Sequence, residues 1–173
     1  LDMFLIHWPV PKHEMYPDAW KAFVRLQQEG RVKSIGVSNF LPAHIERILQ
    51  ETGVKPVINQ IEVHPEYQQL EVRNFHKRHD IAIESYSPLG SGAVLDNPVI
   101  GEIAKKHGKS PAQAILRWHL QQGLIVIPKS THKEWIEENI AVFDFELDAD
   151  DMQKIAGLDR PDGKQGSDPA TNN

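Results

Sequence analysis

The stretch Val32-Lys33-Ser34-Ile35-Gly36-Val37-Ser38-Asn39-Phe40 decides how the rest of the chain is read. It opens on a short, largely apolar run at 32–37 and then breaks into small polar residues. Such a run fits a strand covered on both faces, the condition of a parallel sheet. Just downstream, Ile45, Ile48 and Leu49 recur at the i, i+3, i+4 spacing of an amphipathic helix, and Gly53 sits where that helix should stop. One strand and one helix make a unit, because a parallel neighbour can be reached only through a crossover.

The same unit recurs to either side. Further strands are expected at 2–7, 57–61, 81–86 and 124–127. Helical stripes run through Trp20, Phe23 and Val24, and through Ala112, Ile115 and Leu116. Pro17 suits a first helical turn, Asn97-Pro98 an N-cap with proline behind it, and Ser110-Pro111-Ala112-Gln113 a capping box. Thr131-His132-Lys133-Glu134 reads as a second box, and Gly30, Gly108 and Gly123 as helix stops. Helices are expected near 132–142 and 149–157, the last opened by the acidic residues at 148–151, which its dipole favours. A polar tail follows from Arg160.

This alternation implies an α/β fold with parallel strands and right-handed crossovers. Five βα units fit into 173 residues, whereas a closed (β/α)8 barrel needs about 250. Periodicity alone leaves an open doubly wound sheet or the greater part of a barrel. The dinucleotide fingerprint G-x-G-x-x-G follows none of the strands. The chain opens inside its first apolar run, which is expected of a fragment.

Composition narrows the functional classes. Hydrophobic residues make up 40% and charged residues 25%, and the net charge is -5. There is no basic field for nucleic acid, and no apolar run of the roughly 20 residues that cross a bilayer. With no cysteine, disulfides, thiolate metal sites and a thiol nucleophile are excluded. A cytoplasmic setting is the expectation. Among nine histidines, His76 and His79 are expected to be solvated on a charged helix, and His64 lacks a ligand cluster, so no metal site is expected. Trp20 and Trp118 read as packing residues.

In either architecture, chemistry gathers at the strand C-terminal ends. Those ends read His7-Trp8-Pro9, Gly36-Val37-Ser38-Asn39-Phe40, Asn59-Gln60-Ile61-Glu62-Val63-His64-Pro65, Ser85-Tyr86-Ser87-Pro88-Leu89-Gly90-Ser91-Gly92 and Ile127-Pro128-Lys129-Ser130-Thr131. Lys129-Ser130-Thr131 before a helix suits an anion, though a capping box beside a solvated lysine has the same pattern. The serines and glycines at 85–92 suit a diphosphate wrapped by backbone, or merely a loop. Tyr86 suits stacking on a ring, or simple core packing.

These ordered motifs, with Glu138-Asn139 and Val142-Phe143-Asp144-Phe145-Glu146-Leu147, resemble the aldo-keto reductases from their fourth strand to their C-terminus. The flavour is that of the bacterial 2,5-diketo-D-gluconate reductase-like members. The resemblance implies a TIM (β/α)8 barrel of which this chain supplies strands four to eight and C-terminal helices. Residues 1–159 would form the partial barrel and 160–173 a tail or substrate loop. It implies reduction of aldehydes and ketones by NADPH, with a small carbonyl compound as partner. Ser38, Asn39 and Gln60 would then hold the nicotinamide carboxamide and Tyr86 would stack on the ring. Ser87, Leu89 and Ser91 would line the pyrophosphate, and Lys129, Ser130 and Thr131, beside Ile127, would meet the 2′-phosphate. Glu138 and Asn139 would contact adenine, with Trp8 at the substrate.

Two departures stand out. Trp135 occupies the place of an arginine that would stack on adenine and fork to the phosphate, which an indole cannot do. Of the family's catalytic Asp, Tyr, Lys and His, only the His is matched, by His7; the others belong to strands that would precede Leu1. The isolated chain is therefore expected to be inactive and to self-associate through open sheet edges. Two rival readings are a non-catalytic binding protein of the same fold, like potassium-channel β-subunits, and an unrelated phosphate-binding barrel enzyme.

Overall fold

The structure, a computed structural model, describes residues 1–172; Asn173, the last residue of the expected tail, lies outside the described residues. Strands form at all five apolar runs: β1 (Met3–Ile6), β2 (Ser34–Ser38), β3 (Ile58–Glu62), β4 (Ala82–Tyr86) and β5 (Ile125–Val126). Their order in the sheet is β1-β2-β3-β4-β5, the sequential order expected when each strand is followed by a crossover on the same hand. The pairing is parallel, with Ile6 opposite Val37 and, one residue on, Ser38 opposite Gln60. Gly36 is required in β2: a Cβ there would lie 2.6 Å from side-chain atoms of Leu5 and Ile58.

The fifth strand is shorter than expected. The Leu124 amide donates to His119 O at the end of the preceding helix, and Pro128 has no N–H to continue the ladder. Ile127 therefore falls just beyond β5, 41% exposed.

The helices are α1 (Tyr16–Gln28), α2 (Pro42–Thr52), α3 (Leu70–Arg78), α4 (Pro98–Lys106), α5 (Pro111–Gln121), α6 (Lys133–Ile140) and α7 (Ala149–Ala156). Three of their starts follow the side-chain chemistry. Asn97 accepts from the Val99 amide at α4. Ser110 and Gln113 form the reciprocal box at α5, and Asp148 and Asp151 form another at α7. The box expected at Thr131 is not made. His132 is the N-cap of α6 without a side-chain bond, because the Ser130 hydroxyl takes the His132 amide in a tight local turn, 3.2 Å.

The chain divides into two compact units. The first holds residues 1–61, 70–84 and the described end from Gly166. Its core joins Trp20, Ile35, Val37, Phe40, Ile45 and Ile48 with Tyr16 and Phe75. The second holds residues 62–69 and 85–165, with Ile100, Ile103, Ile115, Leu116, Trp118 and Ile155 fully buried. Trp20 and Trp118 are thus packing residues. One histidine expectation is corrected. His76 is fully buried rather than solvated, because its side of α3 turns inward with Phe75. His64 is buried too, and it faces a carboxylate, with Nε2 3.3 Å from Glu62 Oε1.

Candidate functional site

In the first unit the register of three strands brings the polar ends together. Ser38 Oγ donates to Gln60 O at 2.9 Å, and the Asn39 amide N–H reaches the same carbonyl at 2.9 Å. Asn39 Nδ2 donates to His7 O at 3.0 Å and to Ser38 Oγ at 3.1 Å. Both hydrogens of that amide are directed, so its plane is fixed. Gln60 Nε2 donates to Glu84 Oε2 at 2.9 Å, which fixes the second amide from β4. Ser38 and Asn39 are buried and Gln60 is half-buried. A hydroxyl and two oriented amides at one strand end make a surface suited to another amide. Asn39 has a left-handed backbone, φ 62°, a conformation asparagine tolerates better than most residues. His7 is exposed and its ring lies 6.1 Å from that of Trp8.

In the second unit, Tyr86 is half-buried at the end of β4. Burial, and then the negative charge of Glu62 and of Tyr67, push its phenol up to about 12. The loop after it winds through left-handed residues at Ser87, Gly90, Ser91 and Gly92. Three of its amides are already bound within the loop: Gly90 to Ser87 O, Gly92 to Leu89 O and Ala93 to Gly90 O. The wrapping of a diphosphate by this backbone is thereby narrowed to the groups that remain.

Beyond that loop lies a cavity of about 320 Å³, within the range of small-molecule sites. Six of the residues singled out from sequence line it: Leu89, Lys129, Ser130, Trp135, Glu138 and Asn139. Tyr86, Ser87, Ser91, Ile127 and Thr131 do not. Lys129 and Thr131 are exposed and Ser130 half-buried. Trp135 is 57% exposed, its ring 4.2 Å from that of His132.

Sequence reasoning missed Asp96 and Ser110, which also line the cavity. Ser110 O–H donates to the Glu138 carboxylate, and Gln113 Nε2 holds Glu138 O at 3.2 Å and Ala141 O at 2.9 Å. The α5 capping box therefore also anchors α6 and orients Glu138 in the wall. In the sequence, Ser110 carried only a capping signal, and Asp96 stood in no motif. The wall thus combines one ammonium, two carboxylates, hydroxyls and an indole. It can bind a polar ligand that has a flat ring and an anionic group. Asp148, Asp150 and Asp151 lie close enough to share a cation, but they belong to the start of α7, where Lys106 binds Asp148 and Asp151, His107 binds Asp151 and Lys154 pairs with Asp150. Among the described residues, no helix is long and apolar enough to cross a membrane.

Comparison with known proteins places the chain within one family. The aldo/keto reductase family model matches residues 1–160. An aldo-keto reductase of Mycolicibacterium smegmatis is 52% identical over the whole chain, and methylglyoxal reductase DkgA of Escherichia coli K12 is 51% identical over 98% of it. The chain spans 62% of the length of both. Among solved structures, a mutant of Gox0644 in complex with NADPH superimposes with a TM-score of 0.98 at 57% identity, covering all of this chain and 64% of that one. A putative 2,5-diketo-D-gluconic acid reductase B superimposes with a TM-score of 0.91 at 33% identity, covering 96% of this chain and 59% of that one.

Proposed function

Because the chain belongs to the aldo/keto reductase family, we propose that it is the cofactor-binding part of an NADPH-dependent reductase of small aldehydes and ketones. On this reading it supplies strands four to eight of a (β/α)8 barrel. The observation that carries the proposal is the cluster of Ser38, Asn39 and Gln60, with both amides held by further bonds. Such a cluster matches a carboxamide, which needs donors and acceptors at fixed positions. The NADPH complex of the 57% identical Gox0644 mutant supports the choice of cofactor.

When bound, NADPH supplies the hydride. The residues of this chain hold and orient. Ser38, Asn39 and Gln60 fix the carboxamide, and Tyr86 offers a flat apolar face. Leu89 and the glycine-rich turn lie along the pyrophosphate, and Lys129 with Ser130 neutralises the 2′-phosphate. Trp135, Glu138 and Asn139 surround the adenine. His7, exposed beside Trp8, orients the carbonyl oxygen of the substrate.

Reduction also needs a proton for the oxygen, from a group whose pKa lies near the working pH. Tyr16 is 6% exposed in the core of the first unit, its phenol raised mainly by burial. Tyr86 is pushed up to about 12. Tyr67, the third tyrosine, stands in no catalytic motif, and on this reading the donor, like the Asp and Lys of the family's catalytic group, is supplied from outside residues 1–173. The same reading assigns the reaction to the cytoplasm. It also has the isolated chain self-associating, since Met3 and Phe4 on β1 and Ile125 on β5 expose apolar side chains on the two end strands of the sheet.

The test is turnover. The full-length protein is expected to reduce methylglyoxal with NADPH, while residues 1–173 alone sediment as an assembly and show no turnover. Turnover by residues 1–173 overturns the assignment of the donor. No turnover of any small aldehyde or ketone by the folded full-length protein overturns the function.

A further inference from the structure

Behind the Ser38–Asn39–Gln60 cluster lies a second, fully buried set of groups. Asn59, on β3, brackets the backbone of Phe40, the residue after Asn39. Its Nδ2 donates to Phe40 O at 2.8 Å, and its Oδ1 accepts from the Phe40 amide at 3.4 Å. The other hydrogen of Nδ2 points at His76 Nε2, 2.8 Å away. On its far side, His76 Nδ1 lies 2.6 Å from Val72 O. A carbonyl can only accept, so Nδ1 carries the proton. An amide NH2 can only donate, so Nε2 is the bare acceptor. The bonds thus specify one neutral tautomer. Burial pushes the imidazole below the usual histidine range, with a smaller contribution from His79 just beyond the end of α3.

The arrangement has one consistent orientation. If the Asn59 amide flipped, its oxygen would oppose Phe40 O and its NH2 would oppose the Phe40 amide, so both Phe40 bonds would be lost. The Phe40 backbone and the bare Nε2 of His76 together fix how Asn59 sits, and Asn59 ties down the chain as it leaves the left-handed residue Asn39. That path sets where the Asn39 side chain lies against His7 O and Ser38 Oγ.

We propose that His76 and Asn59 are positioning residues for the cofactor clamp: His76 acts through Asn59 and Phe40 to hold Asn39 in the geometry that receives the carboxamide. This rests on the carboxamide reading of Ser38, Asn39 and Gln60. Neither residue touches the cofactor. His76 reaches the clamp from α3, an element whose sequence carries no cofactor motif.

The experiment uses the full-length protein and NADP⁺, which is stable to the measurement, as the titrated probe. His76→Phe keeps a ring but removes the acceptor, leaving an Asn59 donor buried without a partner. Affinity for NADP⁺ is expected to fall roughly tenfold, and the Phe40 amide to exchange faster with solvent. His76→Gln restores an acceptor and is expected to return both to within about twofold of wild type. Wild-type affinity and Phe40 exchange in His76→Phe overturn the proposal, as does equal loss in the two variants, which would mark a packing role. Nitrogen chemical shifts of the wild-type imidazole decide the matter where His76→Phe does not fold: the Nδ1–H tautomer supports the relay and the Nε2–H tautomer overturns it. Asn39→Ala separates the two claims. Unchanged NADP⁺ affinity in that variant defeats the carboxamide reading, while Phe40 exchange in His76→Phe still reports on the relay.

Discussion

Trp135 is the residue at which the adenine end of the cavity departs most from what a phosphate asks for. Its indole is 57% exposed and leans on His132, so it offers a stacking face but no charge. Lys129 is the cation in the lining, and Asp96 and Glu138 bring carboxylates to the same wall. A guanidinium at this position makes two parallel charge-assisted bonds to a phosphate. Trp135→Arg in the full-length protein is therefore expected to raise the preference for NADPH over NADH about tenfold, mostly in KM. An unchanged ratio of the two KM values would mean that the 2′-phosphate lies elsewhere. Residues of this kind were legible where a motif named them. Lys129, Glu138 and Asn139 belong to ordered strings and line the cavity, whereas Asp96 arrives through a loop fold that no local pattern encodes. His76 was hidden by its neighbours: Arg73, Lys77 and Arg78 make the helix look solvated. Only its place beside Phe75, with Val72 four residues before, hinted that this side turns inward.

At the scale of elements, helix starts carry both the packing and its acid sensitivity. Asp148 caps α7, and Lys106 of α4 binds its carboxylate at 2.6 Å and that of Asp151 at 2.8 Å, with His107 on Asp151 at 2.7 Å. The Lys106 bond, the largest cause, and the backbone amides of Asp151 and Asp150 hold Asp148 at about 2, below its ordinary 3.8. A carboxylate with a lowered folded-state value stabilises fully above its ordinary value, and that contribution is lost as pH falls toward about 2. Asp148→Asn keeps the cap oxygen but not the charge. Its acid unfolding curve is expected to be flatter than wild type between about pH 4 and about pH 2, read by circular dichroism; superimposable curves would show that the pair contributes nothing.

Caps and strands were the most legible parts of the fold, because each is a local match between side chain and backbone. Asn97 and Ser110 behave as their spacing predicts, and the acidic stretch at 148–151 opens α7 as its dipole favours. Thr131 does not, because the Ser130 hydroxyl competes for the same turn and moves the cap to His132. The last strand was shortened by Pro128 on one side and by the end of α5 on the other, a conflict that periodicity does not register.

For the molecule as a whole, the family follows from residues 1–160, and the order of the strands follows from the alternation of strand and helix. The site asks for more. The proposed carboxamide clamp lies in the first compact unit, whereas the cavity with Lys129 lies in the second. One cofactor must reach both for the function to hold. The most direct measurement is a crystal structure of the full-length protein with NADPH bound. The account expects the carboxamide within hydrogen-bond distance of Ser38, Asn39 and Gln60, and the 2′-phosphate of the same molecule beside Lys129 and Ser130. A cofactor that leaves either group of residues untouched would contradict it.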